Sequence, residues 1–231
     1  MIKECSVILL DTLPDKKIKS LGNRCLIQLK KNTNILDYHI SILNKIFYNP
    51  EIILSCGFEN KKIKKYLSNK KYTNIKYLEY DMNDTSNIGA CLKEALRMVK
   101  GSRNYLIMNT NHILHSFAIN KIKEALSYNN SFIMHNSSKG DIGVIINNDR
   151  LINCYYDLPN SLYDILYINK KDFDIFNEQT YDISKLYLFE IINYYIERGM
   201  ELRPIRINNK AITVINNMQN IERVKNQLCL R

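Results

Sequence analysis

Four short strand-like segments, residues 5–10, 51–56, 75–79 and 105–108, the first of them a largely apolar run, alternate with stretches whose apolar residues recur at helical spacing. Runs of this length suit strands buried on both faces, and strand–helix alternation predicts a mainly parallel sheet covered by helices. The first helix is expected over 34–47, with Ile35, Leu36, Ile40, Leu43 and Ile46 on one face. A second is expected over 59–67. A third, capped by Ser86 or Asn87, runs through Ala90, Leu92, Ala95 and Met98 to a stop at Gly101. The second half is richer in strands, at 132–134, 143–146 and 151–156, followed by a helix over 184–198 and a last strand near 212–215. No repeat, linker or low-complexity tract interrupts the 231 residues, so a single domain over 1–231 is expected.

Hydrophobic residues at 45% and charged residues at 24% are ordinary globular values, which argues against disorder. The apolar run Val7 to Leu10 is too short for a signal peptide or a membrane span, which predicts a soluble, cytoplasmic protein with no membrane partner. Six cysteines lie far apart with no CxxC or Cys/His pairing, a pattern for reduced core thiols rather than structural zinc. The abundance of Asn, Ile, Lys and Tyr is what an AT-rich gene produces. The net charge of +10 permits an anionic partner and leaves nucleic acid open. Its densest cluster, Lys61, Lys62, Lys64, Lys65, Lys70 and Lys71, surrounds Ile63 and Leu67 and reads as a solvated helix face.

In sheets of this kind ligands bind beyond the carboxyl ends of the strands. Three loops would converge there: 11–24, 81–89 and 109–112. Asp81, Asp84 and His112 could assemble a metal or acid/base site in them. Tyr155, Tyr156, Tyr163 and Tyr167 could line an acceptor side, although packing explains them as well.

Several segments, in order, resemble the sugar-nucleotidyltransferase family. Arg24-Cys-Leu-Ile-Gln-Leu29 is similar to that family's P-K-x-L-L-x-I stretch, and Ile35-Leu-Asp-Tyr-His-Ile40 to its L-L-E-Y-x-I helix start. Thr85-Ser-Asn-Ile-Gly-Ala90 resembles the T-x-N-I-x-S opening of the choline-phosphate cytidylyltransferase-like branch. Leu158-Pro-Asn160 ahead of Asp164-Ile-Leu-Tyr167 is similar to the acceptor-side strand pair, and 215–223 looks like the closing I-D-T-P-E-D-L-E-R. The resemblance implies a GT-A/Rossmann-like fold, a mostly parallel mixed sheet flanked by helices. It also implies a site for nucleotidyl transfer: a G-x-G-x-R loop around the triphosphate, an active-site lysine, and two aspartates holding Mg²⁺.

This chain departs from that pattern at each part. The loop reads Leu10-Asp-Thr-Leu-Pro-Asp-Lys-Lys17, with no glycine and with Pro14 removing a donor. Leu10, Asp11, Thr12, Ser86 and Asn87 fall at nucleotide-binding positions, with Asp11 and Asp15 expected to repel a triphosphate. Lys16 and Arg24 fall at the phosphate-contacting positions, and Arg24 replaces the lysine. Asn111 and Asn216 occupy the two metal-aspartate positions. An amide lacks the negative charge that favours a hard cation. The expectation is a degenerate nucleotidyltransferase-like protein with no cofactor. It would bind a nucleotide or phosphorylated small molecule, or act as an interaction or assembly subunit, such as a homo-oligomer or a virion component. The alternative is an active Mg²⁺-dependent enzyme that forms an NDP-sugar or CDP-alcohol.

Overall fold

The computed structural model describes residues 5–70, 72–80, 88–99, 103–135, 142–172 and 182–229. Its centre is β1 (Cys5–Asp11), all seven residues of which are buried. It lies between β4 (Glu51–Cys56) and β6 (Asn104–Asn109) and runs parallel to both, with Ile8 opposite Ile53 on one side and Ile107 on the other. β5 (Ile75–Glu79) adds a parallel edge beyond β4. On the far side of β6 the sheet becomes antiparallel through β11 (Ser161–Ile168), then β9 (Ile142–Asn147) and β10 (Arg150–Tyr156). Strands β8 (Ser131–His135) and β12 (Arg203–Arg206) branch from β11. The four expected strands of the first half therefore form one sheet, with 5–10 and 105–108 as neighbours.

Helices cover both faces because strand residues alternate in direction. Val7, Leu9, Leu106 and Met108 pack under α1 (Ile35–Ile46), α2 (Asn60–Lys70) and α4 (Ser116–Ala125). Ile8, Leu10, Tyr105 and Ile107 pack under α3 (Ile88–Met98) and α5 (Leu188–Glu197). A third cluster seats α6 (Met218–Cys229) on β2 (Gln28–Lys30), with Leu29, Ile113, Ile215, Ile221 and Val224 buried together. The short β3 (Thr33–Asn34) leads into α1, where Asn34 and Asp37 close a reciprocal capping box. In α2 only Ile63 is fully buried and the lysines face solvent. Tyr66 and Tyr72 each donate a hydroxyl to Asp37 and dock that helix on α1. Cys5, Cys25, Cys56, Cys91 and Cys154 are buried free thiols.

Where the structure differs from the sequence reading, long-range packing accounts for it. The helix expected over 184–198 begins with a 3-10 turn at Ile183–Lys185, and α5 starts only at Leu188. That turn is fixed by α3, whose Gly89 lets the two backbones touch: a Cβ there would sit 2.1 Å from the Ile183 carbonyl oxygen and 2.6 Å from that of Leu186. The expected cap residues Ser86 and Asn87, and Asp81 and Asp84 with them, lie outside the described residues. Because the obstructing atoms are backbone, Gly89→Ala should destabilise the protein by about 2–3 kcal/mol in urea denaturation.

Candidate ligand site at the carboxyl end of the sheet

The parallel strands end in polar residues, and Asp11 is the first of them. Its side chain is buried and turned into the protein. Thr110 Oγ1 donates to Oδ1 at 2.7 Å, Asn23 Nδ2 donates to Oδ2 at 2.8 Å, and the Cys56 thiol donates to Oδ2 at 3.2 Å. Tyr80 donates its hydroxyl to the Asp11 carbonyl. An acceptor-only group deep in the protein needs such donors. Asp11, expected as a loop residue facing triphosphate, is thus a structural tie between the ends of β1, β4 and β6. Leu10 is likewise a fully buried core residue. Thr12 is buried and accepts a long bond, 3.4 Å, from Asn109 Nδ2. Asp15 and Lys16 are exposed on the loop that follows.

Asn23 positions Arg24. The Asn23 side chain accepts from the Cys25 N–H and donates to the Phe58 carbonyl, so the turn at Arg24–Leu26 is held against the sheet. Arg24 is buried, not superficial. Its Nη1 donates to Asn109 Oδ1 at 3.0 Å and its Nη2 to the Leu13 carbonyl at 2.9 Å, while Nε is buried without a hydrogen-bond partner. All of these acceptors are neutral.

The other loop continues β6. Asn109 Oδ1 also accepts from the Asn111 N–H, and the Asn111 side-chain oxygen is buried without a partner. The chain then turns into β7 (His112–Leu114), which pairs with β13 (Ile212–Val214). The Ile215 N–H donates to the Asn111 carbonyl at 2.8 Å, so Asn216 follows directly from a residue bonded to Asn111. Arg24, Asn111 and Asn216 thus stand at the same end of the sheet. The Asn216 amide is exposed and its oxygen is already used, accepting from Asn217 and Asn220 at the start of α6.

Two ionisable groups complete the site. His112 is buried, accepts at Nε2 from the Asp164 N–H at 3.4 Å, and meets Tyr163 edge-on. Burial, followed by the Arg24 charge, pushes its pKa down to about 3, so it is a neutral imidazole. Asp164 on β11 lies beside Asn109, one residue past the pairing of Ile165 with Met108. It is half-buried. Desolvation raises its pKa to about 6 against the pull of a hydrogen bond from Asn109 and the charge of Arg24. The sequence reading cited Asp164 only within a strand-like segment. A carboxylate interrupting the apolar run Tyr163 to Ile168 was the available signal. Of the four tyrosines, Tyr163 and Tyr167 are buried, whereas Tyr155 and Tyr156 are exposed on β10 beside Phe189.

These donors do not fit Mg²⁺. Asn111 and Asn216, expected at metal positions from the sequence resemblance, carry neutral amides, one already engaged, and the described residues contain no cluster of three His, Cys, Asp or Glu side chains able to hold a metal. A cavity of about 510 Å³ lies at the opposite end of the sheet, by the starts of β8 and β12. Four of its charges pair, Arg150 with Glu201 and Arg203 with Asp149, and Asp172 accepts from Asn130 Nδ2.

Two measurements check this geometry. Asp11→Ala leaves Thr110 and Asn23 with unsatisfied buried groups and should cost about 3 kcal/mol in chemical denaturation. His112 is neutral when folded but takes a proton near pH 6.5 when unfolded, so it makes stability fall as pH drops below that value. His112→Asn should therefore reduce proton uptake on unfolding at about pH 5.5 by about one, read from the slope of stability against pH.

No family model and no curated protein matches the chain by sequence. Solved structures do match by shape. A CTP:phosphocholine cytidylyltransferase from Streptococcus pneumoniae superposes with a TM-score of 0.75 at 13% identity, covering 98% of this chain and 100% of that one. An inositol-1-phosphate CTP transferase from T. maritima gives 0.72 at 11% identity, over 99% and 97% of the two chains. A nucleoside-diphosphate-sugar pyrophosphorylase from Vibrio cholerae gives 0.73 at 10% identity, over 96% and 100%. The chain has the GT-A-like fold of these nucleotidyltransferases along nearly its whole length.

Proposed function

We propose that this protein binds a nucleotide or a phosphorylated small molecule at the carboxyl end of the sheet, and that it has lost nucleotidyl transfer. The observation that carries the reading is the Arg24 site. A buried guanidinium bonded only to neutral acceptors, with Nε unused, stands at the same end of the sheet as Asn111 and Asn216, the amides at positions that resemble the family's metal aspartates. A buried cation whose direct bonds all go to neutral acceptors, with a carboxyl reached only through Asn109, favours an anion. Among the described residues a single carboxyl, Asp164, stands there for a divalent cation and Asp11 is already engaged, whereas transfer beside a triphosphate needs more negative charge than that. Lys16 extends the basic character to the exposed loop. No described helix is long and apolar enough to cross a membrane, and the lysines of α2 face solvent.

The rival reading, an active transferase, draws on the structural neighbours, whose names describe enzymes. One assay separates the two. With Mg²⁺, an NTP and a panel of sugar phosphates or phosphocholine, pyrophosphate release should stay at the blank level, while equilibrium titration detects binding of nucleotide or sugar phosphate. Turnover that disappears on Asn111→Ala would establish the rival. The double substitution Asn111→Asp with Asn216→Asp should tighten Mg²⁺ binding by about tenfold or more, because it restores two negative charges to the site. It should restore little catalysis, since the loop from Asp11 to Lys17 still lacks its glycines.

A further inference from the structure

We propose that Asp164 is a ligand contact of this site: its carboxyl, in the protonated form, donates a hydrogen bond to an oxyanion bound beside Asn109, so that the anion and one proton enter together. This deepens the anion-binding reading above and rests on it.

The argument begins with placement. Asp164 sits on β11 at the level where β6 ends, next to Asn109 and largely buried. Asn109 in turn holds Arg24, so a guanidinium, an amide and a carboxyl form a continuous chain across the strand ends. The backbone of Asp164 is anchored by its N–H to His112. An anion in this place has Arg24 as its attractive charge and Asp164 as its close neighbour. An ionised carboxylate beside an oxyanion is two like charges and two acceptors with no donor between them. One proton on Asp164 removes the repulsion and converts an acceptor into a donor.

The surrounding groups leave Asp164 to respond. Arg24 keeps its charge throughout the ordinary range. His112 is held neutral, and burial lowers His39, whose Nε2 donates to the Thr110 carbonyl. Asp11 is engaged by Thr110, Asn23 and Cys56. The His135 ring on β8 lies tilted against Tyr163, 4.5 Å between centroids. The Asp164 pKa of about 6 means that the proton is available close to neutrality before any anion arrives. No covalent bond changes: the carboxylate takes its proton from water.

Sulfate is the suitable probe, because it remains a dianion across the range in which the protein groups titrate. In isothermal titration of the full chain from about pH 5.5 to about 8, the wild-type Kd should weaken roughly tenfold per pH unit above about 6 and level off below it. In buffers of different ionisation enthalpy near pH 7, the wild type should show uptake of about one proton per sulfate bound. Asp164→Asn presents a neutral donor of the same shape. Its Kd should be independent of pH and within about threefold of the wild-type low-pH value. A wild-type Kd that does not change with pH, or an Asp164→Asn protein that retains the wild-type slope, overturns the role of Asp164 and leaves the anion site standing. If neither protein binds sulfate even at about pH 5.5, the anion site itself is refuted, and this inference with it.

Discussion

The Asp11 carboxylate is the interaction on which the arrangement of the strand ends depends. It receives donors from a residue after β6, a residue in the turn before α1 and the last residue of β4, partners as far as 99 positions apart in the chain. A buried carboxylate is costly unless it is fully hydrogen-bonded, and here each donor fixes a different segment. Thr110 in turn gives its carbonyl to His39 of α1, and Asn23 fixes the turn that carries Arg24. The positions of Arg24 and Asn109 therefore follow from one buried charge. The loop that cradles a triphosphate in the family resembled is here covalently continuous with a structural tie.

That displacement of roles changes what the sheet end can bind. At this end of the sheet Asn109, Asn111 and Asn216 present amides, and among the described residues a carboxyl, Asp164, stands beside Asn109 on the neighbouring antiparallel strand. Arg24 is committed to Asn109 and to the loop carbonyls, so its charge acts as a fixed field from below the surface. Neutral His112 and buried His39 add hydrogen bonds without charge. On the proposed reading, these electrostatics favour an anion accompanied by a proton over an anion accompanied by a divalent cation.

The core strands were legible because the signal is local. Residues 51–56 and 75–79 match their strands end to end, the first as a buried strand and the second as a partly exposed edge. The start of α1 was equally legible, because the capping box needs only Asn34 and Asp37. By contrast, α4 buries only Ala118, Ile122 and Ala125, a weak stripe whose meaning depends on the sheet beneath it. The delayed start of α5 is set by the contact of Gly89 with the turn before it, across nearly a hundred residues.

For the site, the sequence alone determined residue chemistry: two asparagines at positions that resemble a metal pair, an arginine in place of a lysine, and a loop without glycine. Those facts belong to single positions and need no partner to be read. Only the tertiary structure decided that Asp11 faces inward, that Arg24 is buried against Asn109, and that Asp164 joins them from a strand more than fifty residues further along. Side-chain direction in a strand alternates with every residue, and cross-strand neighbours are chosen by register. Whether a carboxylate ties the core together or meets a ligand is therefore settled by long-range pairing, which no local pattern encodes.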